Sequence, residues 1–519
     1  MAATTMSAPS APAPQTSPAA SGLEAGTLST RHAIGQSLAI GPIFSVGAVM
    51  ATVAAVAGYN TPLAVLLAFV GAIALAYVIS LYARRYAGAG AMYEYLAKGV
   101  TNSFGIFSAG VYVLGVLFVG AGGLYIGIGF LTQGFFQAHL HTSIPFWVGG
   151  AVALALVSYL NYRGVRVAVS GVLALAVISS IPFIVLSVVI IAKGGVGGNT
   201  LAVFDPSRTS WSIVFKGLLF AVLLFVGFEA AASVAEETEN PRRSIPIAVI
   251  ATVAITGVFF LLTAYAGTIG FGQAALGTNN AWAQAPSAFG TLAQHYVGGW
   301  LSFWIDLTVI LDATSVAIAF MVTGSRMFYA LGRDGLLPKA AMSTTRHNTP
   351  LAGIIVIIVW SVIMLVWGAT NTYGAAIHTS NAFAAFLIAG NVGSYLVLLI
   401  YCFLSLAGFG LVWRSRHTEG GLAWKVPVVL LGLLVPVLGY KGSLDPFPAY
   451  PFNVGVYIAA AMIVLSAVWW LVLRVTRPDR IKTAARHALQ VAATPPETAG
   501  PLPASPDAAP YPPPVPGVS

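Results

Sequence analysis

The sequence predicts an all-α protein that crosses a membrane many times. Of its 519 residues, 58% are apolar and only 8% are charged, whereas about 25% of a typical soluble domain is charged. Such a chain has too few charges to give a soluble globule a polar surface, and it is too apolar to be disordered. Its apolar residues form long continuous runs, which differ from the short alternating segments of an outer-membrane barrel.

Twelve segments are predicted to span the membrane, because each is largely apolar over about the 20 residues that a spanning helix needs. They form one membrane domain over 31–475, between a disordered N-terminal tail at 1–30 and a Pro-rich tail at 476–519. The predicted spans are 34–56, 61–82, 103–133, 145–161, 166–192, 212–235, 245–270, 298–330, 351–368, 378–406, 425–440 and 453–473.

The distribution of Lys and Arg predicts the orientation of the chain, because cytoplasmic loops carry an excess of basic residues. With both termini cytoplasmic, only four of the 24 basic residues lie on the outer side. The net charge of +9 then follows from topology, and no continuous basic surface is left for a nucleic acid. We therefore expect a multi-pass protein of the plasma (inner) membrane. The four outer basic residues are Lys193, Arg208, Lys216 and Lys441.

Two of the predicted spans contain residues that interrupt a helix. In the first span Pro42, which has no amide hydrogen, follows Gly41, and in the sixth span Gly227 lies close to a glutamate. Broken helices are tolerated at membrane depth where they line a cavity, and their ends offer N–H groups to anions and C=O groups to cations. Because the breaks are five spans apart, they favour two inverted repeats of five spans each. The repeats would lie at about 34–192 and 212–406, with two appended spans at 425–473.

Several segments resemble the amino acid–polyamine–organocation (APC) permeases, in particular bacterial amino acid permeases. FVGFE at 225–229 with AEETENPRRSIP at 235–246 is similar to the sixth-span signature of that family, and SRMFYALGRDGLLP at 325–338 to its eighth-span signature. AGAGAMYEY at 87–95 resembles the Gly/aromatic segment between its second and third spans. The resemblance implies a leucine-transporter-like fold and secondary transport of amino acids, amines or polyamines by alternating access.

Nine residues at the two breaks are predicted to bind the substrate. The first break offers free N–H groups to an anionic group, and the sixth span offers carbonyls and side chains to the ammonium and the substrate side chain. Leu223 stands where some exchangers of the family carry a gating Trp, so an aromatic gate is expected from Phe225 or Phe228. The nine residues are Gly41, Ile43, Phe44 and Ser45 in the first span and Ala221, Leu223, Phe225, Val226 and Gly227 in the sixth.

The first break also departs from the family pattern. A motif similar to Gly-Ser-Gly-Ile-Phe is usual there, whereas this chain has Pro42 between Gly41 and Ile43. A proline alters the turn in which a carboxylate would bind. A substrate different from an ordinary α-amino acid is therefore an open alternative.

Only three of the 15 acidic residues lie within predicted spans, namely Glu229, Asp306 and Asp312. Ionisable groups at membrane depth are costly, which makes these three candidates for coupling or gating. Glu229 could instead cap amides released by the sixth-span break. Some proton-coupled relatives carry a lysine where Ser179 stands here, which leaves sodium, a proton on Asp312 or Asp306, or no coupling.

A sodium site is predicted because part of span eight resembles the sodium-binding segment of related transporters of this fold. By that resemblance, carbonyls near Gln36 and Ala39 would complete a site with the hydroxyls of Thr314 and Ser315, since a hard cation prefers oxygen ligands. The alternative is that both hydroxyls bond to their own helix.

The remaining charged residues are interpreted as structural. The acids at 236–239 are predicted to pair with the arginines at 242–243 in a solvated loop, and a contribution of these charges to the inner gate is the alternative. Glu94 is predicted to pair with Arg326 or Arg333. The spans contain no His-rich metal set and no nucleophile–base pair, so we expect neither an enzyme nor a cofactor other than a coupling ion, Na+ or H+. A transport-inactive sensor or accessory subunit with the same fold is the alternative to a transporter of small molecules.

Overall fold

The computed structural model describes residues 23, 26–38, 41–276, 280–285, 287–416 and 421–484. Over these residues the protein is helical, with two isolated β-bridges and no strand, which confirms the all-α class. The principal helices are α1 Thr30–Ser37, α2 over 42–57, α3 Thr61–Ala83, α4 Met92–Gly99, α5 Asn102–Leu140, α6 Phe146–Arg163, α7 Val165–Lys193, α8 Trp211–Leu223, α9 Pro241–Phe271, α10 Ala288–Tyr296, α11 Gly299–Arg333, α12 Leu351–Thr370, α13 Asn381–Arg414, α14 Leu422–Leu444, α15 Phe452–Thr476 and α16 Pro478–Thr483.

Ten helical stretches in the described part of the chain are long and apolar enough to cross a membrane. One of them, Thr30–Ala83, is 54 residues long and contains the first two predicted spans. The predicted span at 145–161 corresponds to α6, which is not among the ten and ends with the polar Asn161 and Arg163. The chain is therefore a multi-pass membrane protein.

The first span is interrupted where the sequence predicts. Helix α1 ends at Ser37, and Gly41 adopts a left-handed conformation with φ of 61° immediately before Pro42. Proline fits the first position of a helix because its missing N–H has no acceptor there. Helix α2 therefore starts anew at Pro42, and its turn Ser45–Val49 is π-helical.

The predicted sixth span is interrupted directly after α8 ends at Leu223. The chain forms turns over 224–227, and Gly227 has a φ of 114°, which few residues other than glycine adopt. A 3-10 helix, Phe228–Glu237, then continues toward α9. Because the α-helical ladder ends at these turns, carbonyl groups at the break need partners other than the next turn of an α-helix.

Helix α11 forms the centre of the bundle. It is 35 residues long and contacts α5, α7 and the 3-10 helix Phe228–Glu237 along its length. It also contacts α2 just after the first break. Residues of α11 can therefore reach both interrupted spans.

Described residues from both predicted tails pack on the bundle. Leu28 is fully buried and forms a β-bridge with Thr238, with hydrogen bonds to the backbone of Glu237 and Glu239. Helix α16 lies in the predicted C-terminal tail, and the residues after 484 lie outside the described part of the chain.

Candidate functional site

The two helix breaks lie side by side. The hydroxyl of Ser37, at the end of α1, donates a hydrogen bond to the Phe228 carbonyl at 2.7 Å. On the other side of the same break, the hydroxyl of Ser45 donates to the Leu224 carbonyl at 3.3 Å. Each serine thus contacts the backbone of the interrupted sixth span, and the two breaks form one site.

The side chain of Asp312 in α11 caps the N-terminal end of α2. Its Oδ2 accepts hydrogen bonds from the Ile43 amide at 2.9 Å and from the Phe44 amide at 2.8 Å. The residue is fully buried, and the partial positive charge at a helix N-terminus stabilises a carboxylate there. The amides that the sequence assigns to a substrate anion are therefore bound by a side chain of the protein itself.

The other described amides of this break are also engaged. The Gly41 amide donates to the Leu38 carbonyl at 2.8 Å, the Ser45 amide donates to the Gly41 carbonyl at 2.7 Å, and Pro42 has no N–H. A Cβ atom on Gly41 would lie 2.2 Å from a methyl group of Val316. The break is therefore packed directly against α11, and only glycine fits at this point.

Glu229 holds the second break together. Its Oε2 accepts hydrogen bonds from the Gly227 amide at 3.1 Å and from the Tyr401 hydroxyl at 2.5 Å, and its Oε1 accepts from the Tyr112 hydroxyl at 3.2 Å. Because Tyr112 belongs to α5 and Tyr401 to α13, one buried carboxyl joins three segments. This geometry matches the capping alternative, and a role of Glu229 in coupling stays a prediction.

A cavity of about 530 Å³ begins at the breaks and extends to the loop between α14 and α15. Its described lining includes no charged side chain. The polar groups in the wall are hydroxyls and one amide, from Ser45, Thr52, Asn391, Ser394, Tyr395 and Ser443. The large apolar residues of the wall include Phe44, Val49, Phe220, Leu223, Val226, Val316, Phe320, Phe386 and Phe452.

Four of the nine predicted substrate-binding residues line this cavity: Phe44, Ser45, Leu223 and Val226. The predicted aromatic gates do not. Phe225 packs against Phe69 and Phe260, and Phe228 packs against Tyr401. The other five predicted residues lie behind the wall: Gly41, Ile43, Ala221, Phe225 and Gly227.

Sequence reasoning missed the contribution of α5, α11 and α13 to the cavity wall. Phe320 of α11 lies against Gly120 of α5, where a Cβ atom would come within 2.3 Å of its ring. Asn391 and Ser394 of α13 are three residues apart, so they share one face of the helix. That polar pair, in an otherwise apolar span, is the signal that could have indicated α13.

The predicted sodium ligands are not gathered around one point among the described residues. The hydroxyl of Thr314 donates to the carbonyl four residues earlier in α11, and that of Ser315 to the carbonyl three residues earlier, each at 2.8 Å. Gln36 instead reaches farther along α11 and donates to the Ala319 carbonyl at 2.9 Å. Ala39 lies outside the described residues. The sodium site stays a prediction.

Asp306 is held apart from Asp312. Its Oδ2 lies 2.8 Å from Nε2 of His139, and its Oδ1 accepts a hydrogen bond from the Ser287 hydroxyl at 2.5 Å. Six residues separate the two acids, which is about 9 Å along a helix. The two acids therefore belong to different environments, with Asp312 at the helix breaks and Asp306 near the start of α11.

A cluster of ion pairs lies on the side of the breaks away from the cavity. Arg326 of α11 forms a bidentate pair with Glu237, with one N–H···O distance of 3.0 Å. Arg333 donates to Glu236 at 2.7 Å and to Glu94 of α4 at 3.2 Å. The cluster thus joins α4, the 3-10 helix and α11.

The predicted solvated loop is wrong for Glu236 and Glu237. The 3-10 helix turns both acids toward α11, where they pair with Arg333 and Arg326. The predicted pairing of Glu94 with Arg333 is confirmed. Burial raises the pKa of the Glu94 carboxyl above its ordinary value; the Arg333 guanidinium opposes this shift and the Glu236 carboxylate adds to it.

Comparison with known proteins identifies related sequences. The sequence profile of a family described as amino acid permease matches residues 36–467. The polyamine transporter PUT1 of Oryza sativa subsp. japonica is 25% identical over 58% of this chain and 53% of its own length. The branched-chain amino acid permease BcaP of Lactococcus lactis subsp. cremoris is 24% identical over 74% of this chain and 79% of its own length.

A third relative is the low-affinity putrescine importer PlaP of Escherichia coli, which is 24% identical over 71% of this chain and 83% of its own length. The chain spans about half the length of several curated relatives that it matches, the rice protein among them. At these identities the relatives are similar proteins whose printed substrates differ from one another.

Proposed function

Because the chain belongs to the amino acid permease family, we propose that it is a secondary active transporter. It carries amino acids or related amines, polyamines included, across the plasma membrane by alternating access. The observation that supports this proposal is the cavity that begins at two adjoining helix breaks. Membership of the family confirms the resemblance to APC permeases. It also places the chain among permeases, which are not enzymes.

We propose that the chain crosses the membrane twelve times, as two inverted repeats of five spans plus two appended spans. Thr30–Ala83 would supply two spans, and α6 would be the fourth. The packing of α3 on α9 supports the layout, because these are the second spans of the two proposed repeats. Both termini would lie in the cytoplasm, as the distribution of Lys and Arg predicts.

In this orientation the cavity opens to the outside. The loop between α14 and α15, which contributes Pro446 and Pro448 to the wall, would face the exterior. The ion pairs of Arg326 and Arg333 with the acids of the 3-10 helix would close the cytoplasmic side. We infer an outward-facing state, from which transport requires these pairs to separate.

Two coupling ions, sodium and the proton, would use different groups of α11. Sodium would require Thr314 and Ser315 to exchange their bonds within α11 for the ion. A proton could reside on Asp312, whose partners are the α2 amides and the Ser315 hydroxyl at 3.4 Å. The two possibilities differ in which gradient drives uptake.

The alternative of a transport-inactive sensor or accessory subunit has no observation in its favour. The relatives described above carry the printed names of a transporter, a permease and an importer. A sensor of this fold would still bind its ligand. Movement of the ligand across a membrane, rather than binding, is therefore the decisive measurement.

The test is uptake by the purified chain in liposomes. A panel of radiolabelled amino acids and amines is offered under a sodium gradient, under a proton gradient and under neither. We expect saturable uptake of at least one compound. Absence of uptake under every gradient, from protein that is folded and inserted, would refute the transport function.

Two glycine variants provide a matched comparison. Gly41→Ala is expected to abolish uptake, because the new Cβ atom would lie 2.2 Å from Val316 at a residue with φ of 61°. Gly171→Ala in α7 is the control, since a Cβ atom there meets no atom within 4 Å. Size-exclusion chromatography of both variants shows whether each is folded, and so whether a loss of uptake comes from the site or from misfolding.

A further inference from the structure

We propose that Asp312 takes the place of a substrate carboxylate, so that the cavity binds an amine with one positive charge and no carboxylate of its own. The inference rests on the proposed transport function and narrows its substrate class. It assigns to Asp312 the role of a specificity-determining residue. Three features of the site carry it, namely the hydrogen-bond donors, the charges and the hydrogen-bond acceptors.

The donors at the start of α2 are fully used. Asp312 Oδ2 accepts hydrogen bonds from the Ile43 and Phe44 amides. The Gly41 and Ser45 amides donate to backbone carbonyls. Among the described residues of this break, no N–H group is left for a second carboxylate. A carboxylate moved from water into an apolar cavity without donors loses its hydration and gains nothing in return.

The charges around the cavity favour a cation. The described lining has no Lys, Arg or His. Asp312 lies directly behind the wall, since it bonds to the amide of the lining residue Phe44 and stands one helical turn before the lining residue Val316. No described basic side chain forms an ion pair with it. Its charge therefore acts on the cavity through a medium of low dielectric constant, attracting an ammonium and repelling a carboxylate.

The acceptors at the second break fit an ammonium. In the part of the chain that the structure describes, no N–H or O–H group donates to the carbonyl of Val226. Val226 itself lines the cavity, as do the hydroxyl-bearing Ser394 and Ser443. An ammonium has three N–H donors and needs acceptors of this kind.

The rest of the cavity wall determines what kind of side chain the ligand can carry. Phe320 and Phe386, with aliphatic residues of α2 and α8, make most of the surface apolar. No acid lines the described wall, so the second ammonium of a diamine would have no partner. A volume of about 530 Å³ holds an amine with an aliphatic or aromatic body. The predicted class is therefore an apolar primary monoamine.

Matched ligand pairs test this inference on the full chain. Isopentylamine and leucine differ only by a carboxylate, as do phenethylamine and phenylalanine, and putrescine adds a second ammonium to butylamine. Affinities are measured by calorimetry on purified protein, and each compound is also tested for liposome uptake. We expect each monoamine to bind about 100-fold more tightly than its amino acid, since each missing hydrogen bond to a charged group costs about tenfold or more.

Two variants separate the charge of Asp312 from its hydrogen bonds. Asp312→Asn keeps an oxygen for the Ile43 and Phe44 amides but removes the charge, so isopentylamine should bind at least about tenfold more weakly, without a gain for leucine. Asp312→Gly frees the amides, so leucine should gain affinity. Asp205→Asn is the control, because Asp205 also accepts a backbone amide, that of Ser207, but lies in an exposed loop.

The outcomes distinguish this inference from the proposed function. Uptake of leucine with no preference for isopentylamine would overturn the inference and leave the transporter intact. An unchanged amine affinity in Asp312→Asn would overturn it as well. If no compound binds or moves, the proposed function fails and the inference fails with it. If Asp312→Gly does not fold, the wild-type pairs and Asp312→Asn still decide.

Discussion

Replacing Glu237 with glutamine is expected to loosen the side of the protein that lies away from the cavity. Glu237 and Arg326 are each 1% exposed and form a bidentate ion pair. In Glu237→Gln the guanidinium stays buried without its counter-charge. Removing one partner of a buried pair costs about 3–5 kcal/mol, and this cost applies only to conformations in which the pair is buried.

The size of the effect on the conformational equilibrium follows from this cost. If both groups are hydrated when that side opens, the lower figure of about 3 kcal/mol changes the equilibrium more than 100-fold, since about 1.4 kcal/mol is tenfold. A protein that is about 99% in the outward-facing state would become roughly half inward-facing. The melting temperature should fall as well, because the outward-facing state, in which this ion pair is buried, is less stable.

Cysteine labelling measures this shift. Ser394 lines the cavity, and Cys402 is the chain's one cysteine. A Ser394→Cys protein in a Cys402→Ala background is therefore labelled at a single position by a membrane-impermeant thiol reagent added outside. We expect Glu237→Gln to lower the labelling rate at least about twofold. Glu239→Gln is the matched control, because Glu239 is an exposed acid two residues away.

A labelling rate and a melting temperature that both equal those of the Glu239→Gln control would refute the reasoning. The double replacement Arg326→Met with Glu237→Leu provides a second check. Replacing both partners by apolar groups removes the unpaired charge, so most of the lost stability should return.

Three further predictions concern stability and transport. Tyr401→Phe should lower the free energy of unfolding by about 1.5–3 kcal/mol, because it removes a buried hydrogen bond to Glu229. The pKa of Glu94 is higher in the folded state than its ordinary value of 4.5, so the protonated carboxyl stabilises the folded protein at low pH. That stability is lost as pH rises from 4.5 through the folded pKa, and Glu94→Gln should therefore reduce the fall in melting temperature over this range. Gly120→Ala should lower uptake, because its Cβ atom displaces Phe320 from its place in the cavity wall.

Two of these predictions have a control within the same chain. Tyr112→Phe removes a longer hydrogen bond to the same carboxyl, 3.2 Å against 2.5 Å, and should cost less than Tyr401→Phe. Gly134→Ala meets no atom within 4 Å and should leave uptake unchanged. A pH dependence of melting that is identical in wild type and Glu94→Gln would contradict the pKa argument.

The helix breaks could be predicted from the sequence because their causes are local. Pro42 restricts its own φ and has no N–H, and Gly227 permits a positive φ that other residues rarely adopt, whatever surrounds them. The partner of the first break could not be predicted in the same way. Asp312 is 269 residues from Ile43, and no periodicity or spacing indicates that its carboxyl reaches those amides.

The error about Glu236 and Glu237 has a related origin. The sequence places the arginines at 242–243 close by, which favours local pairing in a loop. The 3-10 helix has three residues per turn rather than 3.6, and this helix directs both acids toward α11. There they neutralise the guanidinium groups of the buried Arg326 and the partly buried Arg333, because an unpaired buried charge is costly.

The β-bridge between Leu28 and Thr238 links the chain before α1 to the segment that carries Glu237. Leu28 N–H donates to the Glu237 carbonyl at 2.8 Å, and the Glu239 amide donates to the Leu28 carbonyl at 2.7 Å. The bridge therefore connects the chain just before the first span to Glu237, the residue that pairs with Arg326. Force applied at residue 28, by a fused protein or a bound antibody, would be transmitted mechanically to that ion pair. Single-molecule pulling from this end should therefore act on the same closure that Glu237→Gln weakens chemically.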